Sequence, residues 1–139
     1  MKRMMTSAVI AATLLAPTWA NAWYASNRFE VNPVGNGVFE VVARGARRGP
    51  TDYWCAAGDY AYRELRTPAV QRVYLYRAIG PSVTRPGRKA VQFSLAPPPG
   101  ADTTPSITFS MKDVGDNLQA AAAQQYCYSL GEEDPIFRN

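Results

Sequence analysis

Two short runs of the chain, residues 29–34 and 38–43, are rich in β-forming residues, and the first alternates apolar Phe29, Val31 and Pro33 with polar Glu30 and Asn32, the two-residue period of a β-strand. Gly35-Asn36-Gly37 between them is typical of a tight hairpin turn. We therefore predict a β-hairpin. Its first strand should lie at a sheet edge or end at Pro33, because proline has no backbone N–H to donate. Residues 23–27 before it are predicted to be a short lead-in without regular structure.

Helical spacing replaces alternation after the loop at residues 44–50. One face of the predicted helix carries residues four, three and four apart: Trp54, Gly58, Ala61 and Leu65. Thr51 or Asp52 is suited to cap its first turn, and Thr67-Pro68 should end it. Gly58 weakens the helix interior but permits close packing against a neighbouring element.

Three further alternating runs predict strands at residues 71–79, 89–95 and 106–111. The Pro-rich segment 97–100 between the last two is a stiff connector within one domain. Residues 118–130 are rich in Ala and Gln and predict a helix, with Cys127 in its last turn. Asp116 and Gln119 resemble a capping pair for this helix. A strand over residues 118–123 is the alternative.

The predicted order is thus β-β-α-β-β-β-α. Adjacent strands with short connections favour antiparallel pairing, and two helices suffice to cover one face of a small sheet. We predict an α+β fold: a small, mostly antiparallel twisted sheet of about five strands, covered by two helices and stapled by one disulfide.

The first 22 residues have the order of features of a secretory signal peptide. A positive start at Lys2 and Arg3 precedes an apolar run, Pro17 interrupts it, and Ala20-Asn21-Ala22 supplies a small-residue cleavage site. The run is shorter than the ~20 apolar residues of a membrane-spanning helix. A buried N-terminal helix is the alternative. We predict cleavage after Ala22, a periplasmic or secreted location, and a mature domain at 23–139.

Cys55 and Cys127 are the two cysteines of the 139-residue chain, and both lie in the predicted mature part. An even pair in an exported protein predicts one disulfide. A buried pair of free thiols is the alternative. A catalytic redox pair is disfavoured, because the spacing is not Cys-x-x-Cys.

Charge narrows the range of partners. The chain has 15 Lys and Arg against 11 Asp and Glu, and loss of Lys2 and Arg3 with the leader leaves a net charge of +2. This near balance argues against a dedicated nucleic-acid or polyanion binder. No later segment has 18 consecutive apolar residues, so we predict no transmembrane segment. A short acidic tail begins at Glu132 and runs to Asp134.

Few residues in this sequence are suited to catalysis. The chain has no histidine, which excludes Ser-His and Cys-His nucleophiles and His-ligated metals, and no phosphate-binding Gly loop or calcium-loop motif occurs. Carboxylates are the remaining acids and bases, and we expect them to be solvated surface charges: Glu40, Asp59, Glu64 and Asp113. We assign no catalytic residue, metal or cofactor, and the sequence leans away from an enzyme.

Two basic loops are candidate anion-binding segments. One holds Arg44, Arg47 and Arg48, and the other holds Arg85, Arg88 and Lys89. Arginine suits planar recognition of carboxylate or phosphate. Convergence of the loops would create a cationic patch, but we favour two solvated loops at opposite ends of the sheet.

Tyrosines are dense in the predicted elements. Four of them form a candidate aromatic contact surface: Tyr53, Tyr60, Tyr74 and Tyr76. We favour the other interpretation, in which such tyrosines belong to a core stacked around the disulfide with hydroxyls at its rim.

These features favour a small exported non-catalytic binding or accessory protein, with an envelope protein as a candidate partner. A carboxylate-dependent hydrolase of cell-wall glycan is the first alternative, because export places the chain near that substrate. An anion- or surface-binding protein that uses the two Arg loops is the second.

Overall fold

Within residues 22–45, 49–106 and 110–129, a computed structural model shows six strands and two helices. The strands are β1 (Trp23–Tyr24), β2 (Glu30–Gly35), β3 (Val38–Val42), β4 (Arg72–Pro81), β5 (Lys89–Ser94) and β6 (Asn117–Gln119). The helices are α1 (Pro50–Asp59), continued by a π-helical turn over Tyr60–Glu64, and α2 (Ala120–Ser129). Residues 1–21 of the predicted signal peptide and the acidic tail lie outside the described residues, so both stay predictions.

The six strands form one antiparallel sheet in the order β1-β2-β3-β5-β4-β6. The prediction of an α+β fold with an antiparallel sheet and two helices is confirmed, although the strand count is six rather than about five. The two residues of β1 were expected to be a lead-in. They instead pair with β2, Trp23 opposite Val31 and Tyr24 opposite Glu30, and a strand this short has no alternation to reveal it.

The predicted hairpin is confirmed, with Val31 opposite Val41 and Asn32 opposite Glu40. Its turn passes through Gly35, Asn36 and Gly37 at φ values of 98°, 54° and 72°. A left-handed backbone of this kind is the reason for the Gly-Asn-Gly composition. Strand β2 does not end at Pro33, which pairs with Phe39 of β3 but lies beyond the two residues that β1 pairs.

The strand predicted at residues 106–111 is not found in its described part. Residues 107–109 lie outside the described residues, and Ser106, Ser110 and Met111 are not in a strand. The Met111 carbonyl accepts a 2.8 Å hydrogen bond from the Ile79 N–H of β4. The prediction of a strand is therefore wrong for Ser106, Ser110 and Met111.

Helix α1 begins two to three residues earlier than predicted. Gly49, rather than Thr51 or Asp52, is its N-cap. Asp52 lies in the first turn, where its Oδ2 accepts a 3.0 Å hydrogen bond from the Gly49 N–H. The Asp52 carboxylate thus accepts a hydrogen bond from the N-cap N–H, which is one of the two hydrogen bonds of a capping box.

The C-terminal segment combines the two predicted alternatives. Asn117–Gln119 is a strand that pairs with β4, and the helix begins directly after it at Ala120. Asp116 consequently does not cap the helix, and its oxygens accept N–H groups from Ser110 and Asn117. Cys127 lies in the last turn of α2, as predicted.

The core lies between one face of the sheet and the two helices. Apolar side chains of four strands pack there with Tyr53 and Trp54 of α1. The Cys55–Cys127 disulfide, with a Cα–Cα distance of 4.9 Å, ties α1 to α2 and confirms the predicted pair. In the described residues neither helix has the length and apolarity required to cross a bilayer.

Candidate functional site

The two basic loops leave the sheet at the same end. Val42, the last residue of β3, pairs with Ala90, the second residue of β5. Arg44 follows Val42 by two residues, and Lys89 directly precedes Ala90. The favoured expectation of opposite ends is therefore wrong, because β3 and β5 are antiparallel neighbours. Arg47 and Arg48 lie outside the described residues.

A further arginine joins this end of the sheet. Glu30 begins β2 and pairs with Val42, so Arg28 lies close to the point where the Arg44 loop begins. We call the set Arg28, Arg44, Arg85, Arg88 and Lys89 the basic end. Arg28 was missed by the sequence analysis, because it is a single arginine before a strand and belongs to no basic cluster.

The cations of the basic end differ in what they contact. Arg85 forms an ion pair with Glu30, at 2.6 Å between Nε and Oε1. The Arg44 guanidinium lies 5.3 Å from the centre of the Tyr24 ring, and Arg88 Nη1 donates a long 3.4 Å hydrogen bond to the Ala43 carbonyl. Within the described residues, no carboxylate forms an ion pair with Arg28, Arg44, Arg88 or Lys89.

Three open grooves surround these unpaired cations. The largest, of about 480 Å³, is lined by Tyr24, Asn27, Arg28, Arg44 and Gly45. The second, of about 430 Å³, is lined by Ala43, Gly87, Arg88 and Lys89. The third, of about 330 Å³, is lined by Ile79, Gly80, Pro81, Gly87, Arg88 and Lys89. The described linings contain no Asp or Glu, so every charged side chain among them is a cation.

Glu40 is buried rather than solvated, which corrects the sequence expectation. Its side chain is on the sheet face opposite the one that carries core residues Phe39 and Val41, but it is only 1% exposed. The loop after β4 folds over it. Oε1 accepts the Val83 N–H at 2.9 Å, and Oε2 accepts the Ser82 hydroxyl at 3.0 Å, the Thr84 N–H at 3.0 Å and the Thr84 hydroxyl at 2.7 Å. We call Glu40 with these three residues the Glu40 clasp.

These contacts decide the charge state of Glu40. Burial alone would raise its pKa, but the hydrogen bonds from Thr84, Val83 and Ser82 together prevail and hold the pKa below the ordinary value of 4.5. The carboxylate is therefore kept ionised, with both oxygens occupied. Its role is to fix the loop that carries Arg85 and Arg88.

A second carboxylate extends the clasp toward the basic end. Glu30 Oε1 accepts hydrogen bonds from Arg85 Nε and from the Asn32 side-chain amide, the latter at 2.8 Å. The same amide nitrogen donates to Thr84 Oγ1 at 3.0 Å. Glu30 and Glu40 thus hold one loop through a shared network of hydrogen bonds.

Asp59 is also a buried structural group, against the expectation of a solvated helix face. It is 0% exposed. Its Oδ2 accepts the N–H and hydroxyl of Ser26 and Arg63 Nη1, each at 2.9 Å, and its Oδ1 accepts Gln124 Nε2 at 3.0 Å. The 25–29 turn and α2 cover it, so the expectation of a solvated carboxylate is wrong for Asp59. Glu64 and Asp113 are exposed, as expected.

One further carboxyl has a shifted pKa. Burial raises the pKa of Asp116, and the nearby Asp113 adds to this, although N–H groups of Ser110 and Asn117 work against it. Asp116 lines none of the three grooves. In the described part of the chain, no group of three or more Asp, Glu, Cys or His is placed to hold a metal ion.

The four candidate tyrosines do not share one surface. Tyr53 and Tyr60 are buried in the core, where Tyr53 meets Phe29 edge-on and Tyr60 meets Trp23 and Phe39. Tyr74 is half-buried, and Tyr76 is 38% exposed. Tyr24, which the sequence analysis did not single out, is 48% exposed and lies in the largest groove of the basic end.

No family model matches the chain, and no curated protein or solved structure is significantly similar to it.

Proposed function

We propose that this protein is a small, non-catalytic binding protein of the periplasm or cell envelope, and that its basic end binds an anionic partner. One observation carries the proposal. Arg28 and Arg44 line one groove, Arg88 and Lys89 line two others at the same end of the sheet, and none of the four has an ion-pair partner among the described residues. Like charges at one end of the sheet repel, so an anion that binds there relieves a cost to the folded state.

The basic end is also held in place. The Glu40 clasp fixes the loop that carries Arg85 and Arg88. The Arg85–Glu30 ion pair also holds this loop, so Arg85 is not available to a ligand. Arg88 is then presented by a loop with little freedom. Preorganisation of this kind lowers the entropic cost of binding.

The carboxylates give less support to the alternative of a glycan hydrolase. Such an enzyme needs a carboxyl group with a raised pKa that faces a second carboxylate across a cleft. Glu40 has the opposite shift, and Asp116, whose pKa is raised, lines none of the grooves. We therefore rank binding above hydrolysis.

The predicted leader and the disulfide support the proposed location. The predicted leader would bring the chain to an oxidising compartment, and the Cys55–Cys127 disulfide fits that environment. N-terminal sequencing of protein recovered from a periplasmic fraction tests the location. We expect the mature chain to begin at Trp23, and recovery of the chain with its leader in the cytoplasm would contradict it.

Native capture from an envelope fraction tests the binding role. The bait is the exported protein, compared with Arg44→Gln/Arg88→Gln and with the control Arg66→Gln, which removes an exposed charge before β4, away from the basic end. We expect a partner that native protein and Arg66→Gln retain and the double variant loses. A partner that all three baits retain equally would overturn the assignment of the basic end.

A further inference from the structure

The groove beside Tyr24 differs from the other two grooves of the basic end. Two arginines, Arg28 and Arg44, line it together with Tyr24. The other two grooves share one arginine and one lysine, Arg88 and Lys89. Two planar forks on one groove are suited to clamp a single oxyanion, because guanidinium donors match carboxylate and phosphate oxygens in pairs.

Arg44 is positioned by Tyr24. Its guanidinium carbon lies 5.3 Å from the ring centre, within the range of a cation–π contact. A guanidinium over a ring keeps its N–H donors in its own plane, where they stay able to donate to a ligand. The stack therefore restrains the side chain without using its hydrogen-bonding groups.

Arg28 is positioned by its backbone. It has a φ of 67°, a left-handed conformation that is unfavourable for a non-glycine residue. Its N–H donates to the Ala25 carbonyl at 2.8 Å, and the Phe29 N–H donates to Asn27 Oδ1 at 3.1 Å, so the turn is closed by two hydrogen bonds. Strained residues held in this way cluster at ligand sites.

The turn is also fastened to α1. Ser26 donates twice to the buried Asp59, and the Asn27 side-chain amide donates to the Asp52 carbonyl at 2.8 Å. Both attachments reach the helix that the disulfide ties to α2. The groove wall that carries Arg28 thus rests on the rigid core.

We infer that the Tyr24–Arg28–Arg44 groove binds a small organic oxyanion, a carboxylate or phosphate carried on a body about the size of one sugar ring. Its volume of about 480 Å³ exceeds what an isolated oxyanion fills and falls in the range of small-molecule sites. This inference rests on the proposed binding function and names the ligand class and subsite within the basic end.

An NMR titration of the mature, disulfide-bonded protein tests the ligand class. The probes are glucuronate, glucose 6-phosphate and neutral glucose, which share a ring and differ in the anionic group. We expect at least one anionic probe to shift the backbone amides of Tyr24, Arg28 and Gly45, and glucose to leave them in place. Glucuronate alone would assign a carboxylate, and glucose 6-phosphate alone a phosphate. Equal shifts with glucose, or none with any probe, would overturn the inference.

Variants test the subsite. Arg28→Gln and Arg44→Gln should each lower the affinity for the bound probe about tenfold or more, as expected for the loss of a charge-assisted hydrogen bond. Tyr24→Phe keeps the ring and should retain affinity, whereas Tyr24→Ala should lower it. Arg66→Gln is the control for net charge, and amide spectra of each variant check the fold.

The same variants separate the two proposals. A larger loss of probe affinity in Arg88→Gln/Lys89→Gln than in Arg28→Gln and Arg44→Gln would overturn this subsite and leave the basic end as the binding surface. A charge-dependent envelope partner with no probe bound would overturn the small-oxyanion class alone. Failure of both the capture and the titration would overturn the proposed function itself.

Discussion

Gly58 of α1 lies so close to Ala123 of α2 that a Cβ on Gly58 would come within 2.6 Å of the Ala123 Cβ. The same Cβ would lie 2.5 Å from the Gln124 backbone nitrogen and 2.8 Å from the Ala120 carbonyl oxygen. Backbone atoms cannot rotate away as a side chain does. The two helices can therefore pack at this distance only because position 58 has no side chain.

Gly58→Ala should lower the free energy of unfolding by about 1–3 kcal/mol, the usual cost of overpacking. Alanine is a better helix former than glycine by up to ~1 kcal/mol, so helix propensity alone would stabilise the variant. A net loss of stability therefore shows that the close packing outweighs helix propensity. Urea unfolding with the disulfide intact measures it. The control is Gly80→Ala, where the nearest atom to a new Cβ is 3.8 Å away. A variant as stable as the native protein would contradict the close contact.

Cys55→Ala/Cys127→Ala should lower stability by about 4 kcal/mol, because the disulfide joins residues 72 apart and restricts the unfolded chain. Urea unfolding of the variant beside the native protein gives the difference. Mass spectrometry of exported protein without reductant provides the companion measurement. Two free thiols in that sample would contradict the bond.

Glu40→Gln should destabilise the protein by about 1–3 kcal/mol and release the loop after β4. One amide oxygen can still accept, but the amide NH₂ must then face N–H donors of Val83 or Thr84, and a buried donor loses its partner. Faster hydrogen exchange at these two amides reports the release. Glu64→Gln, at an exposed carboxylate, is the matched control. Unchanged exchange at both amides would show that the clasp does not hold the loop.

Acid should weaken the fold partly through Glu40. The pKa of Glu40 in the folded protein is below the ordinary 4.5, so the unfolded chain binds a proton at this group more readily. The stability that Glu40 contributes is therefore present above pH 4.5 and is lost as the pH falls through the folded pKa. Unfolding midpoints measured from pH 7 to pH 3 should fall less steeply in Glu40→Gln than in native protein. Parallel curves would contradict the lowered pKa.

Asp116 contributes with the opposite sign. Its folded pKa is above the ordinary 3.8, so its contribution is present below that value and is lost as pH rises through the folded value. The two carboxyls thus act against each other in the same acidic range. Asp116→Asn should make the acid loss of stability steeper, which distinguishes it from Glu40→Gln in the same titration.

Local patterns predicted most of the fold. The Gly-Asn-Gly hairpin, β4, β5, the helix around Trp54 and the disulfide each follow from spacing, turn residues or the cysteine pair. The boundary errors share one cause. Asn117–Gln119 forms a strand, whereas the described part of 106–111 does not. Pairing with β4 decides both outcomes, and the pattern of apolar and polar residues within a segment does not show whether a partner strand lies beside it.

The candidate site was predicted less well for a related reason. Arg44, Arg85, Arg88 and Lys89 were found as loop charges, but their common end of the sheet depends on β3 and β5 being neighbours. Glu40 and Asp59 were assigned to solvent, because alternation shows which face a residue occupies and not what covers that face. Their covers, the 82–84 segment and the 25–29 turn, lie more than 30 residues away in sequence.

Heparin chromatography tests how far the basic end acts as a polyanion site. The mature net charge is only +2, and Arg85 is already paired with Glu30. We therefore expect retention at low ionic strength and elution well below about 0.5 M salt, since tight polyanion binders make many phosphate-like contacts. Arg44→Gln/Arg88→Gln should reduce the slope of log affinity against log salt by about two, one for each lost contact. Arg66→Gln should elute with the native protein. Native elution above about 0.5 M would instead show a dedicated polyanion binder, and equal elution of the double variant would place the contact outside the basic end.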